Sequence, residues 1–286
     1  MGAAADQRDG REPTPGLIGL YGPSRATISR VREEDEDTAM QTWVEGTVVE
    51  TIRWNDELYS VRIDAPVQGF EAGQFTKIGL DIGGERVGRA YSYVNAPHER
   101  PIEIHFNTVP EGPLSPRLAT MQTGDRVWVT AEPNGYLTLA EAPDRSHLWL
   151  LATGTAIGPF LSILKTEAPW QRYERIVLVH AVRRVADLGY RGLVDELLER
   201  HPGQLQFVPF VSRESTGFAL TGRIPEAIAD GRLEAHAGLR LSPDDSTVMI
   251  CGNSGMIGDT LKVLEERGLR RHRRREPGHV ITEKYH

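Results

Sequence analysis

The sequence predicts two domains in succession, an antiparallel β-barrel followed by an α/β domain built on a parallel sheet. Two observations carry this. Between Met40 and about Leu139 the apolar residues fall in short alternating runs separated by Gly, Pro, Asp and Asn, with no convincing long helix, the pattern of an antiparallel barrel or sandwich. After "EAPDRS" at Glu141 to Ser146 the runs become continuous and alternate with helical stretches. Continuous apolar strands are buried on both faces, and alternation with helices makes the sheet parallel. The domains are therefore set at 40–142 and 143–286. Residues 1–39 mix Gly, Pro, Ala and charges, including "EEDED", without a sustained period of two or 3.6, and read as a disordered extension. Met40 is a candidate start.

Taken in order, "MQTWVEGTVVETIRWNDELYSVRI" supplies two strands joined through Asn55-Asp56, and "FTKIGLDI", "ERVGRAYSYV", "PIEIHFNTV" and "DRVWVTA" supply the rest of the barrel. The parallel strands are "HLWLLAT", "RIVLVHAV", "LQFVPFV" and "STVMICG", and "PFLSILK", "LVDELLER" and "MIGDTLKVLEERG" are helical.

Composition narrows the function. With 39% hydrophobic and 26% charged residues and no long apolar run, the chain has the make-up of a soluble globular protein. The amino terminus carries Asp, Arg and Pro where a signal peptide needs an apolar stretch, so a cytoplasmic, membrane-free protein is expected. The single cysteine, Cys251, rules out an intramolecular disulfide and a cysteine-ligated iron–sulfur cluster within the chain, and no metal site is expected. A net charge of -7 argues against general nucleic-acid binding, although "RRHRRR" at Arg270 to Arg275 reverses the sign locally.

Three stretches carry chemistry. In "RAYSYVN", strand alternation puts Arg89, Tyr91, Tyr93 and Asn95 on one face and Ala90, Ser92 and Val94 on the other. This is either an exposed decorated strand or a bed for a flat aromatic ligand whose anionic tail is held by arginine. In "ATGTAIGPFLSIL", Gly154 and Gly158 flank a turn and Pro159 opens a helix whose free amides suit a phosphate or a carbonyl; it is not a G-x-G-x-x-G fingerprint. At the carboxyl ends of later strands stand Arg183 and Ser212-Arg213, with Arg223 following in "LTGRIP". They are either solvated surface arginines or a grip on a phosphate monoester, the group that separates NADP from NAD. "CGNSGM" makes a further glycine-bearing turn into a helix at the same sheet edge.

In this order and spacing the chain from Met40 to His286 closely resembles bacterial ferredoxin (flavodoxin)–NADP reductases. "RAYS", "GPLSPRL", "GTAIGP" and "CGNSGM" carry the resemblance, with "VSR", "LTGRIP" and the ending "PGHVITEKYH" in support. The resemblance implies FAD and NADP(H) as cofactors. Arg89 would bind the FAD pyrophosphate, with Ala90 beside it, Tyr91 would pack on the flavin, and Ser92 would hydrogen-bond near flavin N5, the hydride acceptor. Strict alternation puts Ser92 on the wrong face, so a bend or bulge is expected there. Pro113, Leu114 and Ser115 would meet the FAD phosphates, and Thr155 would sit between flavin and nicotinamide. Arg183, Ser212, Arg213 and Arg223 would read the NADP adenosine phosphate. Gly252, Asn253 and Met256 would line the nicotinamide side, with Cys251 and Glu283 near both rings. Tyr285 and His286 would complete the FAD site.

There are departures. The resemblance leads one to expect an aromatic terminus stacked on the adenine, where this chain has His286, and His105 stands where an aromatic near FAD is common. Either the adenine end is held more loosely, or these histidines are tolerated surface residues. The implied activity is electron transfer between NADPH and ferredoxin or flavodoxin. The "RRHRRR" run, helped by Arg117, is the candidate docking face for such small acidic carriers, and a monomer is expected. Two other readings stay open: a reductase serving an oxygenase or free flavin, and a catalytically silent nucleotide-binding sensor.

Overall fold

The computed structural model describes residues 42–285; the 1–39 extension, the Met40 start and the His286 platform lie outside them. The first sheet has six strands: β1 (Trp43–Arg53), β2 (Leu58–Asp64), β3 (Phe75–Ile82), β4 (Glu85–Ser92), β5 (Ile102–Asn107) and β6 (Arg126–Thr130). They pair antiparallel in the order β4-β3-β6-β1-β2-β5. Beyond β4 the chain crosses from one edge of the sheet to the other, where Tyr93 bridges to Ile104 of β5. That crossing curls the sheet around a core of Ile63, Ile78, Ile104 and Val129, with Tyr93 stacked 3.9 Å from Phe70. A single-turn helix, α1 (Ser115–Leu118), links β5 to β6.

The second sheet is wholly parallel. Its strands are β7 (His147–Thr153), β8 (Arg175–Val182), β9 (Leu205–Val211), β10 (Ser246–Asn253) and β11 (Val280–Tyr285), in the order β11-β10-β7-β8-β9. Alternate residues serve opposite faces. Leu148, Leu150 and Ala152 of β7 meet α2 (Gly158–Leu164), α3 (Ala168–Arg172) and α4 (Arg191–Arg200). Trp149 and Leu151 meet α5 (Ile224–Ala229), α6 (Arg232–Ala237) and α7 (Ser254–Glu266). The chain runs outward from β7 through β8 and β9, then returns to β10 on the other side of β7. Ligands gather at such a reversal, beyond the strands' carboxyl ends.

The two sheets belong to one compact unit. Val94 and Leu137 from the barrel side share a core cluster with α2 and β7. A polar latch fastens the seam further: the Tyr190 phenol, on the loop before α4, donates to Glu103 (2.5 Å) and contacts Ser60 Oγ (2.6 Å). Nearby, Asn55 Nδ2 donates to Ala186 O and Asp187 Oδ1, both at 3.0 Å.

Candidate active site

A cleft of about 620 Å³ opens at the carboxyl ends of β7 to β10, against the barrel's β1–β2 turn. It gathers Thr155, Arg183, Ser212, Arg223, Gly252, Asn253, Met256 and Tyr285. Arg213 is the one residue of the phosphate-reading set outside the lining; its amide donates to Arg183 O (2.9 Å) and its side chain is exposed. Among the described residues neither Arg183 nor Arg223 forms an ion pair, so both guanidiniums are available to an anion.

Local backbone shapes this floor. Gly252 holds φ +141, and a Cβ there would stand 2.0 Å from Thr153 Oγ1; glycine alone fits. Asn253 then caps α7, its Oδ1 accepting from Gly255 N (2.9 Å) and Met256 N (3.4 Å). Its side-chain oxygen is thus committed to the helix. In the other glycine motif the helix does not follow directly on the turn. A 3-10 turn at Gly154–Ile157 intervenes, and the Gly158 amide is taken by Thr155 O. The short α2 therefore presents no free amide at Gly158, contrary to the sequence expectation.

At the seam four residues converge from both sheets. Cys251 of β10 and Glu283 of β11 are register partners. Burial pushes the Glu283 carboxyl up to about 7, while the Tyr136 amide beside it pulls the other way. Burial, with the neighbouring Glu283, raises the Cys251 thiol well above its ordinary range, so it stays protonated. The Tyr285 phenol lies against Ser92, raised by burial and by Cys251. Ser92 is 4% exposed, and among the described residues its hydroxyl makes no hydrogen bond of good geometry. Of the bend or bulge expected there, the bulge is absent: β4 pairs with β3 in unbroken register from Ile82↔Glu85 to Phe75↔Ser92. Ser92 reaches the seam because the strand ends there and the chain crosses to β5.

On the barrel side Arg89 and Ala90 are exposed and Tyr91 is half-buried. Among the described residues the Arg89 side chain bonds Gly88 O alone (2.7 Å). Burial pushes the Tyr91 phenol up to about 12, with Arg89 opposing. Tyr93 and Asn95 belong to the interior, Asn95 bonding Ala96 O, Glu99 O and the Glu103 amide. The ligand-bed face therefore ends at Tyr91. Pro113 is exposed, whereas the Leu114 side chain is in the barrel core, leaving only its backbone for a ligand. Ser115 Oγ accepts from Val109 N (2.9 Å), which leaves its proton free to donate.

His105 is corrected outright. It is 3% exposed, with Nδ1 2.9 Å from Ser60 Oγ and 3.0 Å from Tyr59 O, and its ring meets Trp54 and Tyr190 edge-on. Burial, then His180, depress its pKa to about 3. It is a neutral seam residue and no stacking platform. Neighbours in a strand face opposite ways, and it is Phe106 that meets Tyr91, at 5.8 Å.

These features fit a flavin nucleotide. Among the described residues the buried Ser92 hydroxyl has only the Tyr285 phenol beside it, the Leu114 and Ser115 amides make no hydrogen bond, and Arg89 has no carboxylate partner. Comparison with known proteins agrees. Residues 46–137 match the model of an oxidoreductase FAD-binding domain, and residues 150–262 that of an oxidoreductase NAD-binding domain. A flavodoxin/ferredoxin–NADP reductase of Escherichia coli is 50% identical over 221 residues, covering 77% of this chain and 89% of that one. The chain belongs to the flavodoxin/ferredoxin–NADP reductase family. A ferredoxin–NADP reductase of Pseudomonas aeruginosa is 35% identical, over 83% of this chain and 95% of its own. A ferredoxin NADP+ reductase from Neisseria gonorrhoeae, solved with bound FAD and NADP, superposes with a TM-score of 0.80 at 31% identity, covering 85% of this chain and 98% of that chain. Within this family's frame, sequence reasoning missed Gly135 and Tyr136, which cover Glu283, and Asn107 and Leu58, which wall the cleft. No short motif marks them; only the Gly-bearing "EPNGY" turn hinted at the first pair.

Proposed function

We propose that this protein carries electrons between NADPH and ferredoxin or flavodoxin through bound FAD, in the cytoplasm and as a monomer. The observation that carries the reading is the meeting of Ser92, Tyr285, Cys251 and Glu283 at the head of an arginine-lined cleft. Bound FAD supplies the chemistry of the class, taking two electrons from a nicotinamide and passing them on singly.

The chain's own residues hold, orient and shield. Arg183, Ser212 and Arg223, with Arg213 at the margin, hold the adenosine phosphate of NADP(H) by charge-assisted hydrogen bonds. Arg89 and the Leu114 and Ser115 amides hold the FAD pyrophosphate beside Pro113 and Ala90, while Tyr91 packs along the flavin. Ser92 donates its hydroxyl at the reacting edge. Glu283, with its pKa at about 7, is placed to hold or release a proton near neutral pH. The protonated Cys251 thiol, Gly252 and Thr155 fill the space around the nicotinamide and keep water out. Domain limits of 40–142 and 143–286 are supported by family matches that end at 137 and resume at 150.

The basic run is the proposed carrier-docking face, but not as a whole. Arg274 pairs with Glu141 (2.8 Å) and lies 4.6 Å from the Tyr136 ring centroid, and Arg273 stands 3.9 Å from Glu276. Arg270, Arg271 and Arg275 form no ion pair among the described residues and are free to steer an acidic partner. Arg117 is exposed, donating to Pro113 O (2.5 Å).

The test is reoxidation of the NADPH-reduced protein by flavodoxin, ferredoxin and free FMN in turn, across a range of salt. Transfer to a protein carrier that slows steeply with salt is expected. Transfer to free FMN alone would favour a free-flavin reductase, and a colourless protein that takes up no FAD would favour the silent sensor.

A further inference from the structure

His180 stands mid-sheet in β8, between Ala152 of β7 and Pro209 of β9, and is 1% exposed. Its Nε2 lies 2.9 Å from the carbonyl oxygen of Gly154. Gly154 is the first residue of the 3-10 turn that carries Thr155 into the cleft, and both residues line it. A carbonyl can only accept, so Nε2 carries the imidazole's proton. Burial holds the ring neutral by lowering its pKa to about 4, and the contact with Gly154 O selects the Nε2–H tautomer. The barrel's His105 lies close enough for His180 to disfavour its charge, so two neutral imidazoles face the seam from opposite sheets.

A buried polar side chain this far inside a parallel sheet needs a partner, and its partner is the backbone of the very turn expected beside the nicotinamide. The phosphate-reading arginines stand elsewhere, after β8 and on the loop before α5. We propose that His180 is a positioning residue for electron transfer from NADPH: its Nε2–H fixes the Gly154 carbonyl and so sets the position of Thr155 in the cleft. The inference rests on the proposed function, since it assigns a job within that same site.

The FAD-loaded protein and its His180→Leu and His180→Gln variants are compared by stopped-flow reduction with NADPH, by the charge-transfer absorption of the nicotinamide–flavin pair, and by calorimetry with 2′-phospho-AMP. His180→Leu removes the donor and is expected to slow reduction at saturating NADPH about tenfold and to weaken the charge-transfer band. Affinity for 2′-phospho-AMP should stay within about twofold, because its phosphate meets side chains the turn does not carry. His180→Gln, whose Nε2 reproduces the donor, should recover most of the rate. If His180→Leu does not retain FAD, His180→Asn, whose amide is too short to reach Gly154, takes its place. Unchanged rate and absorption in the donor-deleted variant, a parallel loss of 2′-phospho-AMP binding, or no recovery with Gln would overturn the inference. A wild-type protein that NADPH leaves oxidised would instead sink the proposed function, and this inference with it.

Discussion

Glu283 sits beneath Gly135: the glycine holds φ +105, and a Cβ on it would stand 2.8 Å from Glu283 Oε2 and 3.0 Å from Phe75. The barrel thus lays bare backbone over a carboxyl of the parallel sheet. This cover contributes to the burial that weakens the carboxyl's acidity, since a half-buried carboxylate is less well hydrated than a free one.

A raised folded-state pKa makes stability fall with pH. For Glu283 the protonated form favoured by burial contributes fully below the ordinary value of 4.5, and that contribution is lost as pH rises through about 7. Glu283→Gln cannot ionise. Urea denaturation at about pH 5 and about pH 8 should show the variant gaining on the wild type by roughly 2–3 kcal/mol at the higher pH. A pH-independent gap would mean that the carboxyl is hydrated.

Gly252→Ala should cost at least about 2 kcal/mol, because the new methyl meets Thr153 Oγ1 and the backbone sits at φ +141. Adding Thr153→Ala should recover part of that loss, leaving the backbone strain. A double-mutant cycle by thermal melting separates the two; strictly additive effects would contradict the close approach.

Arg223→Ala should raise KM for NADPH by roughly 10–100-fold, the worth of one charge-assisted hydrogen bond, and leave reduction by NADH nearly unchanged. Arg213→Ala should do less, since that residue is outside the cleft lining. Steady-state kinetics with both nucleotides decides; equal effects of the two variants would remove the ranking.

Tyr190→Phe should destabilise by roughly 2–3 kcal/mol. The phenol donates to Glu103, whose other side-chain partner among the described residues is Arg62 (3.0 Å), and Ser60 Oγ loses a contact already shared with Trp54 Nε1 (2.9 Å) and His105. Denaturant titration reads the loss.

Much of this was legible in the sequence, for reasons that differ by element. "FTKIGLDI" and "HLWLLAT" coincide with β3 and β7 because one strand alternates and the other is buried on both faces. β11 escaped notice because Glu283 and Lys284 interrupt its apolar run, as an edge strand tolerates. α5 and α6, six residues each, are too short to establish a helical period. The cleft arginines were readable from their places after strands, where an open parallel sheet presents its loops. The burial of His105, the straight run of β4 into Ser92 and the Gly135 cover over Glu283 depend on contacts between distant segments, which local pattern does not encode.

The proposed function stands on electron flow across this cleft from a phosphorylated nicotinamide nucleotide to FAD. Anaerobic stopped-flow mixing of the FAD-loaded protein with NADPH, and separately with NADH, tests it most directly through the flavin absorbance. Rapid bleaching by NADPH and much slower bleaching by NADH at the same concentration is the predicted result. A flavin that stays oxidised with both, or is bleached equally by both, would rule out NADPH-specific electron transfer through this cleft.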